Sequence, residues 1–181
     1  MAKEIVDDQL AQNQLVTNHL VENPFAARGH DHSSCIVSAL DGAEKRCSRR
    51  GERLTPLRRR VLEIVWRGHA PVGAYDVLDR LRESGAGSAT PPTVYRALDF
   101  LMEHGLVHRI ESLNAFIGCN HPDEAHSGQF LICRDCGLVA ELDDAEIADV
   151  LTSKARALGF AEERATVELR GLCPDCRGGR A

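Results

Sequence analysis

The stretch Ala89–Cys119, "ATPPTVYRALDFLMEHGLVHRIESLNAFIGC", carries the strongest fold signal in this chain. Thr90 and the two prolines after it predict the start of a helix, because Thr is a common N-cap and Pro fits the first turn. Gly105 is a natural stop for that helix. The following residues alternate with a period of two around a turn at residues 112–114, which predicts a β-hairpin. Between cap and stop, apolar residues recur at helical spacing: Val94, Leu98 and Leu101.

Two further helices are predicted before this stretch. Thr55 caps the first, Pro56 fits its first turn, and Gly68 is expected to end it. Three helices followed by a hairpin predict a winged helix-turn-helix, whose third helix reads the major groove of DNA. The apolar stripes of the two earlier helices are Leu57, Val61, Ile64 and Val65, then Val77, Leu78 and Leu81.

The residues ahead of these helices are polar and only weakly periodic. We expect residues 1–44 to form a polar N-terminal extension that is partly mobile. Residues 34–49 can form a short helix with Ile36, Val37 and Leu40 on one side.

The last third of the chain has a different pattern. "GQFLICRDCGLVAEL" (128–142) predicts a two-stranded hairpin, and "RATVELRGLCPDC" (164–176) predicts a third strand. Between them lies a predicted helix, capped by Asp143 or Asp144 and ended by Gly159. Such a sheet has open edges, for which a second copy of the chain is a natural partner. The strand residues expected to cover the helix are Phe130, Leu131, Ile132, Val167 and Leu169.

The predicted fold class is therefore α+β, with an N-terminal winged helix-turn-helix followed by a small α/β dimerisation domain. The expected divisions of the chain are the extension (1–44), the DNA-binding domain (45–119), a hinge (120–127), the dimerisation domain (128–177) and a short tail (178–181).

The charge of the chain is unevenly distributed. The net charge is −5, yet Lys45 to Ile110 carries 13 Lys and Arg against 7 Asp and Glu, whereas the rest carries 9 against 20. A basic middle and an acidic remainder indicate two modules with different roles, the basic one suited to nucleic acid. The bland alternative is a set of solvated helix faces.

The cysteines are expected to be ligands rather than disulfides. The sequence shows no secretory signal and no apolar run long enough to span a membrane, so we expect a cytoplasmic protein with reduced thiols. Seven cysteines cannot all pair within one chain. Two CxxC motifs place four of them for a closed tetrahedral zinc site: Cys133, Cys136, Cys173 and Cys176. Because that shell is saturated, a sensing metal must use other ligands.

A second metal site is suggested by "HRIESLNAFIGCNHPDEAH", residues 108–126. His108 lies on the first strand of the wing and Cys119 at the end of the second, so the hairpin brings them together. His126 begins the second domain, and a metal bound to all three would join the domains. A mixed nitrogen and sulfur set suits zinc. From spacing alone, an exposed polar linker with a buried cysteine is equally compatible, and His121 is as good a candidate ligand as His126.

Taken together, "LTPLRRRVLEIV", "AYDVL", "PPTVYRALDFLMEHGLVHRIES", "CNHPDEAH" and "FLICRDCGLVAEL…GLCPDC" resemble the ferric uptake regulator superfamily, and more narrowly its zinc uptake regulator branch. The resemblance spans about residues 45 to 177. It implies a homodimeric, zinc-activated transcriptional repressor that binds double-stranded operator DNA and holds two zinc ions per subunit, one structural and one regulatory. It implies no enzyme activity, no small-molecule substrate and no membrane association.

The resemblance also implies particular residues. The structural zinc maps onto the four CxxC cysteines. The regulatory zinc maps onto His108, Cys119, His126 and Glu141, of which Glu141 has no signal in spacing, and His121 becomes a spare. DNA contacts map onto Tyr75, Thr93, Tyr95 and Arg96.

Several alternatives remain compatible with the sequence. The region before the first CxxC lacks the dense histidine cluster usual in the iron-sensing branch, which favours zinc over an iron or peroxide sensor. A zinc-buffering protein and a zinc hydrolase are the rivals from other classes, although no HExxH-like arrangement is present. In the extension, "GHDHSSC" offers a possible auxiliary metal site at His30, His32 and Cys35, with a mobile polar tail as the alternative.

Overall fold

The computed structural model of the protein describes residue 25 and residues 32–68, 70–85, 89–122 and 128–179. None of the helices in these ranges is both long and apolar enough to cross a membrane. In chain order, the elements are α1 (His32–Arg49), α2 (Pro56–Val65), β1 (Val72–Gly73), α3 (Ala74–Glu83), α4 (Pro91–Glu103), β2 (Val107–Ile110), a 3-10 turn (Glu111–Leu113), β3 (Ala115–Gly118), β4 (Gly128–Cys133), β5 (Val139–Glu141), α5 (Ala145–Ala157), β6 (Thr166–Gly171) and α6 (Pro174–Arg177).

The predicted winged helix-turn-helix is present. Helices α2, α3 and α4 pack their apolar stripes into one core, and strands β2 and β3 form the antiparallel wing, with β1 on the other edge of β3. Asn114, at φ 47°, completes the turn between the wing strands, because Asn tolerates the left-handed conformation better than most residues. Gly105, at φ 64°, reverses the chain after α4 as predicted.

The helix starts agree with the sequence, and one helix end differs. The Thr55 hydroxyl accepts a hydrogen bond from the Arg58 backbone N–H at 3.4 Å, so Thr55 caps α2. Helix α2 ends at Val65, before the predicted stop at Gly68, with Trp66 as its C-cap. The bulky Trp66 side chain packs against the core.

Helix α1 corrects the prediction for the N-terminal extension. It crosses the expected division between residues 44 and 45, and Leu40, Ala43 and Cys47 are buried in the same core as α2 to α4. The packed unit therefore includes at least the buried residues of α1. The sequence predicts Val37 beside Leu40, but Val37 is 58% exposed because it lies on the solvent side of this helix. The remaining predictions for residues 1–31, Phe25 apart, lie outside the described residues.

The second unit is a three-stranded sheet with the order β5-β4-β6, antiparallel between β4 and β5 and parallel between β4 and β6. Asp144 caps α5, since its carboxylate accepts the backbone N–H groups of Glu146 and Ile147. Gly159, at φ 72°, follows the end of α5. The two units together confirm the α+β fold class, with a winged helix followed by a small α/β unit.

The expected packing of the second sheet on its helix is wrong for two strand residues. Phe130 and Ile132 lie on one face of β4 and pack against Ile110 and Ile117 of the wing, not against α5. Strand side chains alternate between faces, so Leu131 cannot share a face with its two neighbours. The sheet therefore uses this face to contact the winged helix, and helix α5 has no buried residue.

Candidate metal centres and nucleic-acid interface

The four CxxC cysteines converge at one end of the second sheet. Their sulfur atoms all lie within 4.8 Å of one another. Cys133 ends β4, and Gly137, at φ 71°, turns the chain back after Cys136. Cys173 precedes α6 and Cys176 lies on it, so the second pair bends around the first turn of a helix. The pairs are joined where the Arg134 N–H donates to the Gly171 carbonyl at 2.9 Å.

The chemistry of these thiols fits a divalent cation. Hydrogen bonds from backbone N–H groups of Cys136 and Cys173 lower the pKa of Cys133 to about 6. In contrast, hydrogen bonding to Cys173, together with burial, raises the pKa of Cys176 to about 12. Four sulfurs this close cannot all ionise without a compensating positive charge. A four-thiolate shell of this kind is the usual structural zinc site.

The second cluster lies between the two units. His108 on β2 contacts Glu141 on β5, with 2.8 Å between Nε2 and Oε1. The ligand atoms of His108, Cys119 and Glu141 lie within 4.8 Å of one another. The second Glu141 oxygen accepts the Asn120 backbone N–H at 3.1 Å. We call this cluster the mixed site.

The mixed site is buried. The side chains of His108 and Glu141 are 9% and 3% exposed, and Cys119 is buried. Burial, followed by the nearby Glu141 carboxylate, raises the pKa of the Cys119 thiol to about 12. Zinc bonds of about 2.0–2.3 Å require ligand atoms about this close, and zinc accepts imidazole, thiolate and carboxylate together. The donor set therefore fits zinc.

Two glycines let the mixed site form. A Cβ at Gly118 would overlap the indole ring of Trp66, so only glycine allows α2 to close over the end of β3 beside Cys119. A Cβ at Gly128 would lie 2.7 Å from the Phe130 ring, which in turn lies edge-on to His108.

The remaining predicted ligands are not all described. His126 and His30 lie outside the described residues, as does the side chain of His32. Cys35 is half-buried on α1, and among the described residues it belongs to no group of three candidate metal ligands. His121 is exposed, and its backbone N–H hydrogen-bonds to the Cys119 thiol, so the described structure gives it a supporting contact rather than a ligand position.

The predicted DNA-contacting side chains lie on the surface of the winged helix. Tyr75 on α3 is 66% exposed, and Tyr95 and Arg96 on α4 are also exposed. Among the described residues, Arg96 is held only by a 3.3 Å bond from its Nε to the Pro92 carbonyl, which leaves most of its guanidinium donors for a ligand. Arg60 of the same unit differs, because Glu63 binds it at 2.6 Å.

Thr93 has a second role at the start of α4. Its hydroxyl donates to the Thr90 carbonyl at 2.7 Å and accepts the Thr90 N–H at 3.0 Å. The single hydroxyl proton is therefore already donated to the Thr90 carbonyl, and the hydroxyl oxygen accepts the Thr90 N–H. This geometry favours Thr93 as a residue that fixes the reading helix over a direct donor to phosphate.

The comparison with known sequences agrees with this architecture. Residues 49–170 match the Ferric uptake regulator family. The chain belongs to the ferric uptake regulator family. That match starts at the end of α1 and stops within β6, so it includes the wing, the mixed site and the first CxxC pair.

Several individual relatives of this chain are zinc uptake regulators. The zinc uptake regulation protein of Escherichia coli (strain K12) is 43% identical over 138 residues, covering 76% of this chain and 80% of that protein. A solved structure named "Zinc Uptake Regulator Complexed With Zinc AND DNA" superposes with a TM-score of 0.76 at 41% identity, covering 80% of this chain and 96% of that one. Holo XcZur gives 0.73 at 47% identity, covering 78% and 98%. These relatives confirm the resemblance to the zinc uptake regulator branch.

Proposed function

We propose that this chain is a zinc-responsive, DNA-binding transcriptional repressor, with zinc as its co-repressor. The observation that carries the proposal is the mixed site, where ligand atoms from the wing and from the second sheet meet within 4.8 Å. The similarity to a zinc uptake regulator in complex with zinc and DNA supports the same function. Genes for zinc uptake and homeostasis are the proposed targets, and the cytoplasm is the proposed location.

The proposed regulatory ligands come from three segments. His108 belongs to the wing, Cys119 to the start of the linker, and Glu141 to the second sheet. His126 is proposed as the fourth. A bound zinc ion supplies the positive charge that compensates the buried thiolate and carboxylate. The residues themselves do no chemistry, and their role is to favour one arrangement of the two units over others.

The proposed DNA contacts depend on that arrangement. Arg96 extends from α4 and can donate two hydrogen bonds to a guanine edge in the major groove. Tyr75 and Tyr95 offer exposed hydroxyl groups for phosphate or sugar contacts. In a dimer, two such helices must be held at the spacing of successive major grooves, which is why the orientation of the winged helix controls affinity.

The proposed homodimer uses the second unit. Large apolar side chains of α5, of the turn after it and of β6 are exposed in the single chain: Val150, Leu151, Leu158, Phe160 and Leu169. Leu158 and Phe160 are 86% and 65% exposed. We infer that these exposed apolar groups contribute to the interface with the second subunit. Two zinc ions per subunit are proposed, with the four-cysteine site as the structural one.

A metal titration of DNA binding tests this proposal. A zinc-dependent DNA sequence is first selected from a randomised duplex pool with the full chain, and its binding is then measured against buffered free zinc. We expect binding to rise with zinc and to stay weak with iron(II) or manganese. Linkage requires the selected DNA to tighten zinc binding by the same factor.

The rival functions predict different results. Binding driven by iron(II) would support an iron or peroxide sensor of the same family. Recovery of no preferred sequence at any zinc concentration would favour a zinc-buffering protein instead.

A further inference from the structure

The second sheet presents three aligned side chains to the wing. In the sheet register Phe130 pairs with Glu141 on one side and with Glu168 on the other. Residues in register across a sheet share a face. Phe130 is 1% exposed and packs on the wing, so the two carboxylates flank an apolar contact between the units.

The two carboxylates reach opposite ends of the same wing strand. Glu141 contacts His108, near the start of β2. Glu168 accepts the backbone N–H of Glu111 at 2.6 Å and that of Ser112 at 3.1 Å, immediately after β2 ends. Glu141 belongs to the mixed site, whereas Glu168 lies on the opposite edge strand and belongs to neither metal cluster.

Glu168 binds where a carboxylate is favoured. The first N–H groups of a helical turn have no partner inside the turn, and the positive end of the turn attracts an anion. Burial opposes ionisation of Glu168, but hydrogen bonds from the Ser112 side chain and from the backbone of Ser112 and Glu111 outweigh it and hold its pKa below the ordinary value. The contact therefore joins an ionised carboxylate to a turn 57 residues away in the chain.

We propose that Glu168 is a positioning residue, a second anchor between the wing and the sheet that sets the zinc concentration at which the mixed site fills. The proposal rests on the proposed function for its effect on DNA binding. One contact alone leaves the winged helix free to pivot about it, whereas contacts at both ends of β2 fix its direction. The Glu168 contact uses backbone N–H groups and no ligand of the mixed site, so it lowers the cost of bringing His108 and Cys119 to Glu141.

The expected size of the effect follows from population arithmetic. A zinc-responsive regulator populates its DNA-binding arrangement weakly without zinc, so the apparent zinc affinity is reduced by the fraction of competent molecules. Loss of the Glu168 contact lowers that fraction further. Loss of charge-assisted hydrogen bonds at a partly exposed site is therefore expected to weaken the zinc affinity of the mixed site by roughly 5- to 30-fold.

The test measures zinc affinity of the mixed site directly, by competition with a chromophoric chelator in the full chain without DNA. Glu168→Ala is expected to weaken zinc binding by that factor, and Glu168→Gln, which keeps an acceptor oxygen, by less. Glu163→Ala is the matched control, because Glu163 is an exposed carboxylate five residues earlier. It removes the same charge and should leave zinc affinity unchanged.

A double-mutant cycle separates the anchor from general destabilisation. Ser112→Ala should weaken zinc binding in the wild-type background and have no effect in Glu168→Ala. In the zinc-loaded protein, the amide hydrogens of Glu111 and Ser112 should exchange faster in Glu168→Ala. Unfolding temperature should change little, so a fall in stability without a change in zinc affinity would overturn the proposal.

Two further outcomes decide between the proposals. Equal zinc affinities for Glu168→Ala and wild type would overturn the anchor and leave zinc-dependent DNA binding intact. An equal effect of Glu163→Ala would overturn it as well, since charge alone would then explain the result. If wild type bound DNA without regard to zinc, the proposed function would fail, and the chelator competition would still decide the role of Glu168.

Discussion

The four-cysteine site and the mixed site both contain cysteine sulfur, but their candidate ligands connect different parts of the molecule. The cysteine sulfurs all come from the second unit, where they fasten β4 to the segment after β6. The ligands of the mixed site come from both units, with Glu141 on the second sheet and His108 on the wing. In the proposed function, closure of the first site stabilises a fold, whereas closure of the second selects an orientation.

Under this proposal, ligand position decides what each metal ion does in the molecule. A saturated shell inside one small sheet supplies folding free energy, since no equivalent site exists in the unfolded chain. A shell shared by two units that are each already folded supplies coupling free energy. Four experiments test this contrast, and their expected effects decrease from the first to the last.

Cys133→Ser should give the largest effect. Structural zinc sites contribute on the order of 10 kcal/mol of apparent binding free energy, and Cys133 is a buried member of its cluster. We expect loss of the folded second unit and of the dimer, measured by circular dichroism and analytical ultracentrifugation. A folded dimer with one zinc fewer would show that the site is not structural.

Cys119→Ser should separate folding from regulation. We expect a folded dimer with its four-cysteine zinc retained, and a loss of zinc-dependent DNA binding larger than the roughly 10–100-fold typical of outer-shell changes. DNA binding across a buffered zinc series measures this. A normal zinc response would exclude Cys119 as a regulatory ligand. It would also contradict the proposal that the mixed site regulates DNA binding while the four-cysteine site stabilises the fold.

Arg96→Ala should affect neither site. We expect specific DNA binding to weaken by about 1–3 kcal/mol with zinc binding unchanged, because the role proposed for Arg96 is to read bases and it contacts no metal ligand. Arg60→Ala is the control, since Glu63 already holds that guanidinium. If the preferred DNA sequence of Arg96→Ala matched that of wild type, its base-reading role would be excluded.

Proton release should test whether Cys119 binds zinc at the mixed site. The Cys119 thiol, with its pKa raised to about 12, keeps its proton at neutral pH and must lose it when zinc binds. Zinc affinity of the mixed site should therefore fall about tenfold, or about 1.4 kcal/mol, for each unit that the pH is lowered near neutrality. Calorimetry in buffers of different ionisation enthalpy counts the protons. Unchanged proton release in Cys119→Ser would contradict this assignment.

Much of the fold could be predicted because local signals agree with tertiary packing. Thr55, Thr90 and Asp144 begin helices in the sequence and in the structure, and the CxxC spacing brings four sulfurs together. Local signals failed where burial depends on distant residues. Val37 and Leu40 are both apolar residues of α1, yet only Leu40 is buried in the core, because only a narrow face of α1 packs against it.

The two carboxylates of the second sheet show a deeper limit. Only the family resemblance places Glu141 among the ligands, and Glu168 has no sequence signal at all. Each is one acidic residue on an edge strand, and its partner lies 33 or 57 residues away. Their roles depend on the register of three strands and on the orientation of one unit against the other, which no local pattern contains.

The packing of Trp66 on Gly118 has an optical consequence. Trp66 is the only tryptophan in the chain, and its indole ring lies over the residue next to Cys119. Its fluorescence therefore comes from one known place, at the boundary of the winged helix and the linker. The molecule carries a built-in spectroscopic probe of the mixed site, and ordering of that boundary is observable without any attached dye.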